Sequence, residues 1–168
     1  VQLLKRHRDI MFRNDTDDKP ISIIITTLAA RAYKGETDIH DALTNVIVSM
    51  ESYIGRDAEG NYIISNPINE EENFADKWPT HPKRKENFFK WLAQLKTDLR
   101  SLQTNTGIEL QRTLSNSFGQ DATSRSYTDY TANKHNEFSS SAAKISTTGV
   151  LGTIGKTLNA ANTFYGKK

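Results

Sequence analysis

Positions 21–33 read ISIIITTLAARAY, and how that stretch is taken decides the fold. Its isoleucines and threonines are β-branched and would suit a buried strand. Ile21, Ile24, Ile25, Leu28 and Ala32, however, recur at i, i+3, i+4, i+7 and i+11, which is a helical period. The length and the alanine-rich second half decide for a helix, started by Pro20 in its first turn. Because that helix is apolar on most sides, it is expected at the centre of the molecule.

Outward from this segment the same period recurs. Val1, Leu4, His7 and Met11, with Leu3 and Ile10 beside them, mark a helix that stops at Arg13-Asn14-Asp15. Downstream, Thr37 or Asp38 caps an amphipathic helix carried by Ile39, Leu43, Val46, Ile47, Met50 and Ile54 and ended by Gly55. Gly60-Asn61 signals a turn, residues 62–65 suit one short strand, and Asn66-Pro67 breaks it. A long helix runs from Pro82 to about Gln103 with Phe88, Leu92, Leu95, Leu99 and Leu102 inward. Leu110, Leu114 and Phe118 mark a short helix, and residues 122–138 a weaker one. The expected architecture is mainly α: a bundle of five to six helices with at most one short strand and a flexible tail. Residues 1–138 form the helical domain and 139–168 the tail.

The chain has 168 residues, enough for one core. Residues 139–168 are rich in Ser, Thr, Gly, Asn and Ala, with Lys144, Lys156, Lys167 and Lys168 and no acid. That segment therefore carries +4 against +2 for the whole chain, which leaves −2 for residues 1–138. The basic pI of 8.8 reflects the tail, and no basic nucleic-acid-binding face follows from it. Without cysteine there are no disulfides or thiolate metal sites, which fits a cytoplasmic protein. No apolar run approaches the ~20 residues that span a bilayer, so no membrane partner is expected.

Three marks lie in order: LLKRHRDIMF at 3–12, KPISIIITTLAARAY at 19–33 and ISNPINEEENFADKW at 64–78. Together they resemble the helical C-terminal domain of the oligoadenylate synthetase and bacterial CD-NTase families, which make nucleotide second messengers. The matching segments span roughly the first hundred residues and extend more weakly to Phe164. In those families the metal-binding carboxylates lie upstream. The resemblance thus implies the N-terminally truncated back half of a nucleotidyltransferase (EC 2.7.7) of antiphage, CBASS-type defence, opening at Val1 within a running helix. Its Mg2+ would sit in the missing N-terminal catalytic domain, its substrates would be nucleoside triphosphates, and this portion would have no catalytic or metal-binding residue.

In the same families, including the animal cyclic GMP-AMP synthase, a Lys on one helix and a Ser at the start of the next touch a nucleotide's triphosphate. The counterparts here are Lys5 and Ser22. A helix N-terminus offers free N–H groups and partial positive charge, a Ser hydroxyl donates to phosphate, and Lys adds a mobile charge. On the residues alone, Ser22 as a simple cap and Lys5 as a solvated side chain stand beside that assignment. Template-independent nucleotidyltransferases also carry a loop with Pro and Asn near the base or ribose, matched here by Asn66, Asn69 and Asn73 around Pro67. An Asn amide presents donor and acceptor together. Asn-Pro is equally an ordinary turn, and Asn69 or Asn73 can cap the next helical turn. Phe74, Trp78 and Trp91 are expected in the core.

Two matches mislead. His7-Arg8-Asp9 with Asn14 fits the kinase catalytic-loop spacing, yet it lies on helical periodicity and no DFG occurs downstream. Arg8 and Asp9 are expected in surface pairs or helix-to-loop contacts. Asp15 and Asp17 mimic a two-metal carboxylate pair, but in a polar loop rather than on a strand. His7, His40, His81 and His135 have no metal-ligand spacing. Finally, Thr163-Phe164-Tyr165-Gly166 is similar to the tails of some CD-NTases, whose terminal Gly a ubiquitin-activating and conjugating-like partner joins to other molecules. Lys167 and Lys168 come after Gly166 here, so trimming or a vestigial tail are both open. Against all of this stands one alternative: a non-enzymatic helical interaction module with a basic tail.

Overall fold

The computed structural model describes residues 1–139 together with Lys144–Ile145, Leu151–Gly152 and Thr157–Leu158. Six helices occur among the described residues, so the mainly helical class holds. They are α1 (Gln2–Met11), α2 (Ser22–Ala32), α3 (Ile39–Ser49), α4 (Pro82–Thr104), α5 (Gly107–Phe118) and α6 (Gln120–Ser139). A 3-10 turn, Met50–Tyr53, extends α3. The chain divides into two compact units, Val1–Gln120 and Asp121–Lys168.

In the first unit α2 is central. Ile24, Ile25, Leu28, Ala29 and Ala32 are buried, and α2 packs against α1, α3 and the 3-10 turn. Its start departs from the expected pattern, in which Ile21 belongs to the apolar periodicity: Ile21 and Ile23 are 43% and 45% exposed. The start of α2 therefore faces outward while its body lies in the core. α4 supplies Phe88, Trp91, Leu92, Leu95 and Leu99, α1 supplies Leu4, and Phe12 follows directly after α1. Each large side chain so buried contributes roughly 1.5–3 kcal/mol relative to an exposed one. Trp78 and Trp91 belong to this core and join Tyr62, Phe88 and Phe89 in edge-on and tilted ring contacts.

Local chemistry sets the boundaries. The Asp38 carboxylate caps α3 by accepting the His40 and Asp41 N–H groups, and Pro82 opens α4 where no N–H bond is lost. Gly119 ends α5 at φ 92°, a left-handed value that suits glycine. The strand expected within residues 62–65 is β2 (Tyr62–Ile63), and it has a partner. Gly55, read as a helix stop, begins β1 (Gly55–Arg56), with Gly55 opposite Ile63 and Arg56 opposite Tyr62. Asp57 closes the loop by accepting the Asn61 N–H at 2.7 Å, and Gly60 takes φ 85°. In the second unit, β3 (Lys144–Ile145) pairs antiparallel with both β4 (Leu151–Gly152) and β5 (Thr157–Leu158). The other residues of the tail expected at 139–168 lie outside the described residues.

Candidate functional site

α1 and α2 meet at a polar seam built around Arg8. This guanidinium is only 5% exposed. Its Nη1 donates to the Ser22 hydroxyl at 2.8 Å and to the Pro20 carbonyl at 3.0 Å, while Nε donates to Asp9 at 3.0 Å. Asp9 also receives Lys19 at 3.0 Å. Burial raises the Asp9 carboxyl, but the hydrogen bonds from Lys19 and Arg8 outweigh it and hold the group below its ordinary value.

Ser22 is the first residue of α2, and no side chain caps that helix. Its first-turn N–H groups consequently have no intrahelical acceptor. Lys5 lies three residues before Arg8, hence on the same side of α1. Half-buried, it forms no ion pair or side-chain hydrogen bond among the described residues. Ser22 is thus joined to α1 through Arg8, and Lys5 lies one turn of α1 before Arg8.

Across the start of α2 lies a cavity of about 500 Å3 lined by Pro20, Ile21, Asn73, Trp78, Arg84 and Phe88, among others. Its other wall includes Glu71, Glu72, Asn73 and Phe74, which follow the Asn-Pro loop. Arg31, near the C-terminal end of α2, donates to the Ser65 carbonyl at 2.8 Å, so the loop begins by that end. Ser22 and Arg31 are nine residues apart, about 13 Å of helix rise. Asn66 in turn is bonded to Glu72, which lines the cavity.

The three asparagines differ in their freedom. Asn73 is fully committed: Oδ1 accepts the N–H groups of Ile64 and Ala75, both at 2.9 Å, and Nδ2 donates to the Tyr62 carbonyl at 2.9 Å. Asn66 donates to Glu72 at 2.6 Å and accepts the Ile68 N–H at 2.9 Å. Asn69 accepts the Glu71 N–H at a long 3.3 Å, and its NH2 has no partner among the described residues.

The misleading motifs resolve into packing. His7 is 2% exposed and bonded to Asp98, Arg8 holds Ser22, and Asp9 is paired, so no kinase-like base is presented. Asp15 pairs with Lys83 at 3.2 Å, whereas Asp17 has only a 3.5 Å contact from Thr16. Among the described residues one group has metal-ligand proximity, Asp38, His40 and Asp41; all are exposed, and Asp38 is spent as the α3 cap.

No family model matches the chain. Over 123 residues it is 32% identical to a c-di-GMP synthase from Roseivirga ehrenbergii, a match that covers 72% of this chain and 33% of that relative. It also superposes on a solved CD-NTase, CdnG of Bradyrhizobium diazoefficiens in complex with GTP. That match has a TM-score of 0.59 and 23% identity, over 77% of this chain and 38% of that one. This is a CD-NTase-like chain. It spans about a third of the length of the curated relative it matches.

Within the CD-NTase-like chain the residue that sequence reasoning misses is Arg8. Of the two places expected for it, surface pairs or helix-to-loop contacts, it takes the second through Pro20, and what the sequence leaves unmarked is its burial as the link between Asp9, Pro20 and Ser22. The one sequence signal for it is the i, i+3 spacing to Lys5 on a helix that also carries Leu4 and His7. Gly166 lies outside the described residues.

Proposed function

We propose that this CD-NTase-like chain forms one wall of the nucleotide cleft of an enzyme that joins nucleoside triphosphates into cyclic or linear oligonucleotide second messengers. The observation that carries the reading is the Lys5–Arg8–Ser22 seam: an uncapped helix start, a hydroxyl held in place and an unpaired lysine, together on α1 and α2. In this proposal Ser22 donates its O–H to a phosphate oxygen, the first amides of α2 add N–H donors, and Lys5 adds charge. Asn66 and Asn69 are the base-side or ribose-side contacts toward the other end of α2. Asn73 acts on them by bracing their loop.

Bond-making is assigned elsewhere in the protein. The family's Mg2+ ions need carboxylates gathered on one face, and the described ones do not fit: Asp9 and Asp15 are each paired with cations, and Asp17 stands apart in its loop. No step here passes through the metal. The further setting we propose is a cytoplasmic bacterial antiphage system, in which Gly166 is conjugated by a ubiquitin-activating and conjugating-like partner once Lys167 and Lys168 are removed. Among the described residues no helix is long and apolar enough to cross a membrane.

The test is turnover of radiolabelled nucleoside triphosphates by the full-length protein and its Lys5→Ala variant. Conversion to an oligonucleotide with release of pyrophosphate, weakened in the variant, supports the reading. Absence of turnover with every nucleoside triphosphate, alone and in mixtures, overturns it in favour of an interaction module.

A further inference from the structure

The Arg8 side chain is an unusual commitment for this seam. A buried guanidinium is costly unless it is paired and hydrogen-bonded, and Arg8 is only 5% exposed. Its one carboxylate, Asp9, is shared with Lys19. Two cations therefore lean on a single anion, and Lys5 adds a third positive charge one turn away.

A serine hydroxyl has one donor and two acceptor positions. Arg8 Nη1 occupies an acceptor position at 2.8 Å, and the same nitrogen is fixed by the Pro20 carbonyl at 3.0 Å. Arg8 has no acceptor to offer, so the Ser22 proton cannot turn back toward it. Among the described residues nothing else accepts that proton. Ser22 itself is exposed, so the O–H is held outward with its oxygen polarised by a cation behind it.

We infer that Arg8 is the positioning residue of the phosphate grip: it acts through Ser22, presenting the hydroxyl as a pure donor to a nucleotide phosphate. The inference rests on the proposed binding of a nucleoside triphosphate at Ser22. Arg8 is buried behind Ser22 and is not itself offered as a ligand to the phosphate.

A double-mutant cycle in the full-length protein tests it, with KM and kcat for the nucleoside triphosphate read alongside thermal melting. Ser22→Ala is expected to raise KM about tenfold. Arg8→Gln is expected to raise KM by a similar factor with a much smaller change in kcat. The double variant should be no worse than Ser22→Ala alone, because Arg8 acts through the hydroxyl. Arg8→Lys, which keeps the charge but offers one point of attachment rather than a fork, should recover part of the loss. If Ser22→Ala leaves KM unchanged, the phosphate reading of Ser22 fails and this inference with it. If Ser22→Ala raises KM but the Arg8→Gln factor multiplies it in the double variant, only the inference fails, and Arg8 is a general structural residue. Should Arg8→Gln not fold, the same cycle run with Arg8→Lys separates the same two outcomes.

Discussion

His7 Nε2 lies 2.9 Å from Asp98 Oδ2, and that same oxygen accepts the Ser117 hydroxyl at 2.8 Å. One carboxylate thus ties α1, α4 and α5, while Gln94 bonds its other oxygen at 2.7 Å. The imidazole is packed edge-on against Trp91 and Phe118. Asp98→Ala would leave His7 and Ser117, both buried, without their partner. A loss of about 2–4 kcal/mol is expected from the unpaired groups. Urea unfolding of the variant checks it, and a loss below about 1 kcal/mol would show that the hub is not stabilising.

Asn73 makes a comparable commitment on the other side of the core. Its three bonds to Tyr62, Ile64 and Ala75 hold β2 against the loop that comes after it. Asn73→Ala should cost about 2–3 kcal/mol, at roughly 1 kcal/mol per bond. Asn69→Ala, which removes only a weak bond 3.3 Å long, should change stability by less than about 0.5 kcal/mol. Equal melting losses in the two variants would contradict this division of labour.

The helices were legible because their evidence is local. The 3.6-residue period of Ile24, Ile25, Leu28 and Ala32 needs no knowledge of what packs on them, and Asp38 caps a helix from two residues away. Partnerships were not legible. Gly55 looks like a helix stop until Ile63 is found opposite it, since cross-strand bonding leaves no local mark. Asn73 looks like a surface asparagine because two of its partners lie nine and eleven residues earlier. The burial of Arg8 leaves no local mark, because charged residues are rarely buried and its acceptors are twelve and fourteen residues on. Lys5 and Ser22 could be picked out only by family likeness, and the bond that joins Arg8 to Ser22 is a tertiary one.

Acid should loosen the α1–α2 seam through Asp9. Its carboxyl titrates below its ordinary value in the folded chain, so folding favours the ionised form. The associated stability is present above the ordinary value and is lost as pH falls through the lower folded value. Asp9→Asn should therefore be less stable than the parent chain near neutrality, and the two should converge in acid. Asp9 is 44% exposed, so the difference is expected to stay within the small range of surface pairs, up to about 1 kcal/mol. Denaturant midpoints measured from neutral pH down through the ordinary carboxylate range give the answer; a gap that widens in acid would reverse the sign and refute the pairing.

Lys5 separates folding from function most cleanly. It has no ion pair or side-chain hydrogen bond among the described residues, and its neighbours Leu4 and Arg8 are held by contacts of their own. Lys5→Ala is therefore expected to change stability by less than about 0.5 kcal/mol, since no named destabilising mechanism applies and Ala suits a helix. Its effect on a nucleoside triphosphate should be far larger. Losing one charge-assisted contact to phosphate costs about 1.5–3 kcal/mol, or roughly 10- to 150-fold in affinity. Because the contact is electrostatic, the affinity of the variant should also fall less steeply with added salt. Titration of nucleotide into the full-length protein at two salt concentrations, with melting curves of both forms, measures all three quantities. A variant that melts several degrees lower while binding nucleotide with unchanged affinity and salt slope would assign Lys5 to the fold and take it out of the site.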